Sequence, residues 1–170
     1  MNITRRAFNT AIAALLLTGA TAAGAADKPI VVGYQSDALP SSLAIANGEF
    51  EKATGKKIDF RKFNSGADVI AAIAGGDVQV GYVGSSPLAA AASRGLDVKA
   101  FYLASISGTD EALVVRNGSG INTVADLKGK KLAAAPVSTD HYQLLALIKS
   151  QGWTQKDVKH FAIPQPEIVA

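Results

Sequence analysis

The chain has 170 residues, 48% of them hydrophobic, a formal net charge of +3 and no cysteine. This much apolar material excludes a disordered chain, and the missing thiols exclude a disulfide framework, a thiolate metal site and a lipid-tethered cysteine. Setting aside Arg5 and Arg6, which lie in a cleavable-looking leader, 15 of the 17 basic residues remain against 14 acidic ones. They are scattered apart from Lys56–Lys57 and Lys130–Lys131, so no basic stripe exists to neutralise a nucleic-acid backbone.

Residues 1–25 run from a short basic region through an apolar stretch, Ala11–Leu17, into small residues ending Ala23-Gly24-Ala25. That order is a signal peptide with cleavage expected before Ala26, and the apolar stretch is too short to span a bilayer. Thr4-Arg5-Arg6-Ala7-Phe8 fits the twin-arginine pattern as well as an ordinary secretory start, so the periplasm is the expected location by either route.

Strand and helix patterns then alternate. Ile30–Tyr34 reads as a buried strand, Pro40–Lys52 as a helix stopped by Gly55, Ile58–Phe63 as a strand and Ala67–Ala74 as a helix ended by Gly75 and Gly76. Val78–Val83 is a third strand, Pro87–Arg94 a helix, Val98–Ile106 a fourth strand and Glu111–Arg116 a fifth. Val124–Lys128 is a short helix, Lys131–Ala135 a strand, Thr139–Gln151 a longer helix and Val158–Ile163 a last strand. Such alternation implies parallel strands joined by crossover helices in doubly wound α/β layers. The loop Ser107–Asp110, or the strand just after it, is the expected crossing between two lobes, and the run from Pro164 to Ala170 reads as a loop entering an unfinished helix, so a longer protein is expected.

Three helix starts follow strands directly: Gln35–Ser41, Gly84-Ser85-Ser86-Pro87 and Ser138-Thr139-Asp140-His141-Tyr142. Helix starts carry unpaired N–H groups and a positive dipole end, and in a doubly wound sheet the strand ends gather them at one edge. Sulfonate, phosphate, sulfate or carboxylate suits such an edge. Ser85 or Ser86 is expected to cap its helix with Pro87 at the first position. A serine before a helix is more often only a cap, and a lone histidine is as often structural as functional. His141 is nevertheless the candidate donor, His160 is read as a structural strand residue, and Glu111 as either a partner for a ligand ammonium or a solvated carboxylate. Tyrosines 34, 82, 102 and 142 are pocket candidates, with Tyr102 assigned to the core. No metal or cofactor is expected, and no nucleophile elbow, phosphate loop or zinc motif occurs.

Arg61–Gly66, Gly76–Gly81 leading into Gly84-Ser85-Ser86-Pro87-Leu88-Ala89, Glu111–Val115 and Ser138-Thr139-Asp140-His141-Tyr142 together resemble the periplasmic taurine-binding proteins of bacterial ABC importers, within the nitrate, sulfonate and bicarbonate family. The resemblance implies a type II periplasmic binding protein with two doubly wound α/β lobes and a hinge. With the signal peptide read above at 1–25, the expected division is a first lobe at 26–108 and a hinge with an incomplete second lobe at 109–170. Gln35, Ser85, Ser86, Thr139 and His141 would face a sulfonate, with Ser138 and Tyr142 nearby. The implied partners are a small sulfonate, a membrane permease and a cytoplasmic ATPase, with the binder itself a monomer. Three positions depart from the pattern: Pro136 replaces an aromatic, Asn64 an acid, and Asp140 brings a negative charge that either repels a sulfonate or meets the ammonium of a zwitterion. The competing readings are a binder of nitrate, a sulfate ester or bicarbonate, an enzyme resembling the pyrimidine-precursor synthases, and a sensor domain.

Overall fold

The computed structural model describes residues 28–35, 40–106, 108–109 and 111–168. The signal segment, Ser36–Leu39, Ser107 and Asp110 therefore lie outside the described residues, as do Val169 and Ala170.

The first sheet is built from β1 (Ile30–Tyr34), β2 (Ile58–Lys62) and β3 (Val80–Gly81), all parallel, in the order β2-β1-β3. Its central strand alternates buried and half-buried residues because helices cover it. The helix expected over 40–52 is two helices, α1 (Pro40–Ala46) and α2 (Glu49–Thr54), because Gly48 turns left-handed at φ 64° and breaks the ladder. After β2, α3 (Gly66–Ala74) starts on Ser65, whose hydroxyl accepts the Asp68 N–H at 3.1 Å. Gly81 sits where a Cβ would lie 2.5 Å from Val69 Cγ1, so only glycine lets β3 approach α3 this closely. Val31, Val69, Val78 and Ala91 are the buried apolar residues of this half.

The second sheet pairs β4 (Lys131–Ala134) with β5 (Lys159–Ala162), again in parallel, with α5 (Thr139–Ser150) as the crossover. Here the core is contiguous: Leu127, Leu132, Ala134, Leu144, Ile148 and Val158, flanked by Ile121, Leu147 and Trp153. Leu127 comes from a 3-10 turn, Val124–Leu127, held by a capping box in which Thr123 and Asp126 satisfy each other's backbone. A last turn, α6, covers Gln165–Ile168. The remaining helix, α4, spans Ser85–Ser93 in the first half.

The strands expected at 98–106 and 111–116 are not formed, and the described residues there are irregular. Strand pairing needs a neighbour to accept its backbone, and no other strand pairs with either segment among the described residues. Their apolar side chains stand out accordingly, with Phe101, Tyr102 and Ile106 at 79%, 77% and 88% exposure. Tyr102 therefore does not belong to the core.

Candidate functional site

α4 and α5 start just beyond the carboxyl ends of β3 and β4, and their first turns meet. The contact is close: a Cβ on Gly84 would lie 2.6 Å from the Thr139 hydroxyl. Beside this meeting point, Ser85, Ser86, Ala89 and Tyr142 line an open depression of about 310 Å³. Ala89, one turn beyond Ser85, was not among the sequence candidates; its i+4 spacing from Ser85 was the available signal.

The two starts are chemically different. α4 opens on Gly84 at φ −70° and ψ 167°, which has no side chain to cap with. Ser85 and Ser86 are thus the first two helical residues rather than caps, and Pro87 stands third, not first. Their backbone N–H groups have no helical acceptor, and Pro87 has no N–H to add. α5 opens on Ser138, which accepts the His141 N–H at 3.0 Å and donates its own O–H to Ala135 O at 2.7 Å. That hydroxyl has no second proton for an anion, so Ser138 serves the fold, while the amides of Thr139 and Asp140 stay unpaired within the helix.

His141 completes the cap from the other side. Its Nδ1 accepts the Val137 N–H at 3.3 Å, so the ring's proton belongs on Nε2. Val137 has φ 59°, the single positive value outside glycine among the described residues. A β-branched residue there costs about 1–3 kcal/mol, and such strain concentrates at functional turns. The His141 ring lies against His160, with centroids 4.9 Å apart and planes 25° from parallel. Burial first, and the nearby His141 charge second, hold His160 below the usual histidine range. Sequence reasoning placed His160 in a strand, which is right, but not against His141: that contact depends on how β5 lies beside α5.

Gln35 follows β1 and its side-chain amide reaches Tyr82 O at 3.4 Å, on the loop leading to α4. It stands 3.6 Å from where a Gly66 Cβ would be. Glu111 is tied to Gln143 of α5 by a hydrogen bond and is exposed. Tyr34 packs edge-on against Phe60 at 6.4 Å. Tyr142 is 65% exposed at the rim of the depression. Among the described residues, no group of three His, Cys, Asp or Glu side chains gathers as a metal site, and no helix is long and apolar enough to cross a membrane.

Parallel α/β halves whose helix starts face one another beyond the strand ends define the class: this is a periplasmic-binding-protein fold. The alkanesulfonate-binding protein SsuA from Xanthomonas axonopodis pv. citri, solved bound to MOPS, superposes with a TM-score of 0.67 at 23% identity, covering 83% of this chain and 49% of that one. The periplasmic aliphatic sulphonate binding protein SsuA from Escherichia coli gives a TM-score of 0.58 at 25% identity, covering 82% and 48%. The chain belongs to the NMT1/THI5-like family, whose profile matches residues 35–169. It is 44% identical over 141 residues to the taurine-binding periplasmic protein of E. coli K12, covering 83% of this chain and 43% of the relative. It is 30% identical over 158 residues to a putative aliphatic sulfonates-binding protein of the same organism, covering 91% and 50%. The chain thus spans about half the length of the curated relatives it matches.

Proposed function

We propose that the complete protein is the substrate-binding subunit of an ABC importer, capturing taurine or a related small alkanesulfonate between its lobes. The observation that carries this reading is the meeting of the α4 and α5 starts at Gly84 and Thr139, beside the depression lined by Ser85, Ser86 and Tyr142. Unpaired amides on two converging helix ends bind a tetrahedral anion without a metal or a fixed cation. The relatives named for taurine and aliphatic sulfonates support that head group. Asp140, exposed in the first turn of α5, is the nearby carboxylate that either meets the ammonium end of a zwitterion or repels a sulfonate, and taurine against sulfate separates the two.

In this reading residues 1–25 direct export to the periplasm and are removed, 26–108 supply the first lobe, and 109–170 supply the hinge and the start of the second. The loaded protein then docks on a membrane permease driven by a cytoplasmic ATPase. No step forms or breaks a covalent bond. Hydrogen bonds to a charged group contribute about 1.5–3 kcal/mol each, so a few of them reach micromolar affinity after ordering costs. Calorimetry on the full-length protein with taurine, alkanesulfonates, sulfate and nitrate tests this. Saturable heat with a sulfonate and little with nitrate is expected; no heat with any sulfonate overturns it. The mass of the secreted protein tests cleavage before Ala26.

A further inference from the structure

The stacked histidines are the built feature that anion capture by helix ends leaves unused. His160 is half-buried on β5, paired in register with Leu132 of β4. Its Nε2 is buried and has no hydrogen-bond partner. An orphaned ring nitrogen is unfavourable, and an aliphatic side chain would fill the same space without it. What an aliphatic residue would not supply is a flat aromatic face for the His141 ring at 4.9 Å. On its other edge, His141 is held by the amide of the strained Val137. Two contacts therefore fix one imidazole in the first turn of α5, three residues after the cap.

We propose that His160 is a positioning residue for the ligand site, acting through His141. Its stacked face and the Val137 N–H together hold the His141 ring in one orientation and one tautomer, with Nδ1 accepting and the proton on Nε2, one residue before the Tyr142 that lines the depression. A protonated Nδ1 would face the Val137 N–H donor to donor and break that bond. A second positive ring at stacking distance is unfavourable too. His141's own helix carries the exposed Asp140, and β5 carries the exposed Lys159 next to His160. β4 presents uncharged Leu132 opposite His160, with the exposed Lys131 one residue before it.

The ligand arm of this proposal rests on the sulfonate-binding reading; the ring geometry does not. Imidazole ¹⁵N spectra of the full-length protein should show His141 with Nε2 protonated and Nδ1 bare without any ligand. His160→Leu should leave a folded protein whose His141 exchanges between tautomers and whose taurine affinity falls roughly threefold to tenfold, the loss expected for one misaligned hydrogen bond. His160→Phe keeps a flat ring and should return affinity to within about twofold of wild type. Protonated Nδ1 in the wild type overturns the proposal. So does His160→Leu with unchanged spectrum and affinity, or His160→Phe no better than His160→Leu. Should His160→Leu fail to fold, the wild-type spectrum and His160→Phe decide. A wild-type protein that shows the Nε2–H tautomer but binds no sulfonate defeats the sulfonate reading and leaves the positioning of the ring standing.

Discussion

The starts of α4 and α5 lie against each other and follow the same strand-to-helix grammar, yet they are built in opposite ways. α4 begins on a glycine with no cap, leaving two serines and their amides uncommitted to capping. α5 begins on a serine engaged twice, with a histidine reaching back and a strained valine between. The lesson is one of division: the open start offers donors, and the closed start holds its donors and its one imidazole in place. An anion site needs both, because free donors without a rigid frame lose affinity to ordering.

The largest effect expected from this comparison falls on the open start. Ser85→Ala combined with Ser86→Ala should weaken sulfonate binding by roughly tenfold to a hundredfold, one or two hydrogen bonds to a charged group, with little change in thermal stability. A double variant with unchanged affinity would show that only the backbone of α4 takes part. Next is the contact between the starts. Gly84→Ala drives a Cβ into the Thr139 hydroxyl. Affinity should drop by about threefold to tenfold, the size of one displaced hydrogen bond, and Thr139→Ala added to it should relieve the clash without restoring full binding.

The closed start should respond in stability instead. Ser138→Ala removes the acceptor of the His141 N–H and should lower unfolding free energy by about 1 kcal/mol, read by urea melts. Equal losses of stability at Ser85 and Ser138 would erase the distinction between the two starts. Val137→Gly removes strain at φ 59° but loosens the unfolded chain, so a net gain of at most about 1 kcal/mol is expected.

The smallest effect is in pH. His160 is held below the usual histidine range, so below about pH 6.5 the unfolded chain binds a proton the folded one refuses. Stability should therefore fall as pH drops through that region, and His160→Phe should flatten the slope. Asp126 and Asp157 are both held low, Asp126 first by the Asn122 amide and Asp157 first by the Thr154 amide. Their contribution is present above about pH 4 and is lost only as pH falls through their depressed values, a separate and more acidic window.

Most of the fold was legible where periodicity and punctuation agree. β1, β2, β4, α3 and α5 lie within a residue or two of their predicted bounds, because β-branched runs and glycine or serine ends act locally. The misses are also physical. Residues 98–106 and 111–116 have strand-like composition, but a strand exists only against a neighbour, and none is paired to them among the described residues. The helical period runs through Gly48, whose left-handed turn splits α1 from α2. In the site, the residue types and their order along the chain pointed to both helix starts, whereas cap assignment at Gly84 and the commitment of the Ser138 hydroxyl did not show in the sequence.

Sequence alone determined β1, β2, β4, α3 and α5, the absence of cysteine chemistry and the two hydroxyl-rich helix starts, since each depends on neighbours a few residues away. Only the tertiary structure decided that Gly84 meets Thr139, that Ser85 and Ser86 line one depression with Tyr142, and that His160 lies flat against His141. Those contacts join residues from 19 to more than 50 positions apart, and the packing of separate strands and helices, not local propensity, sets such distances.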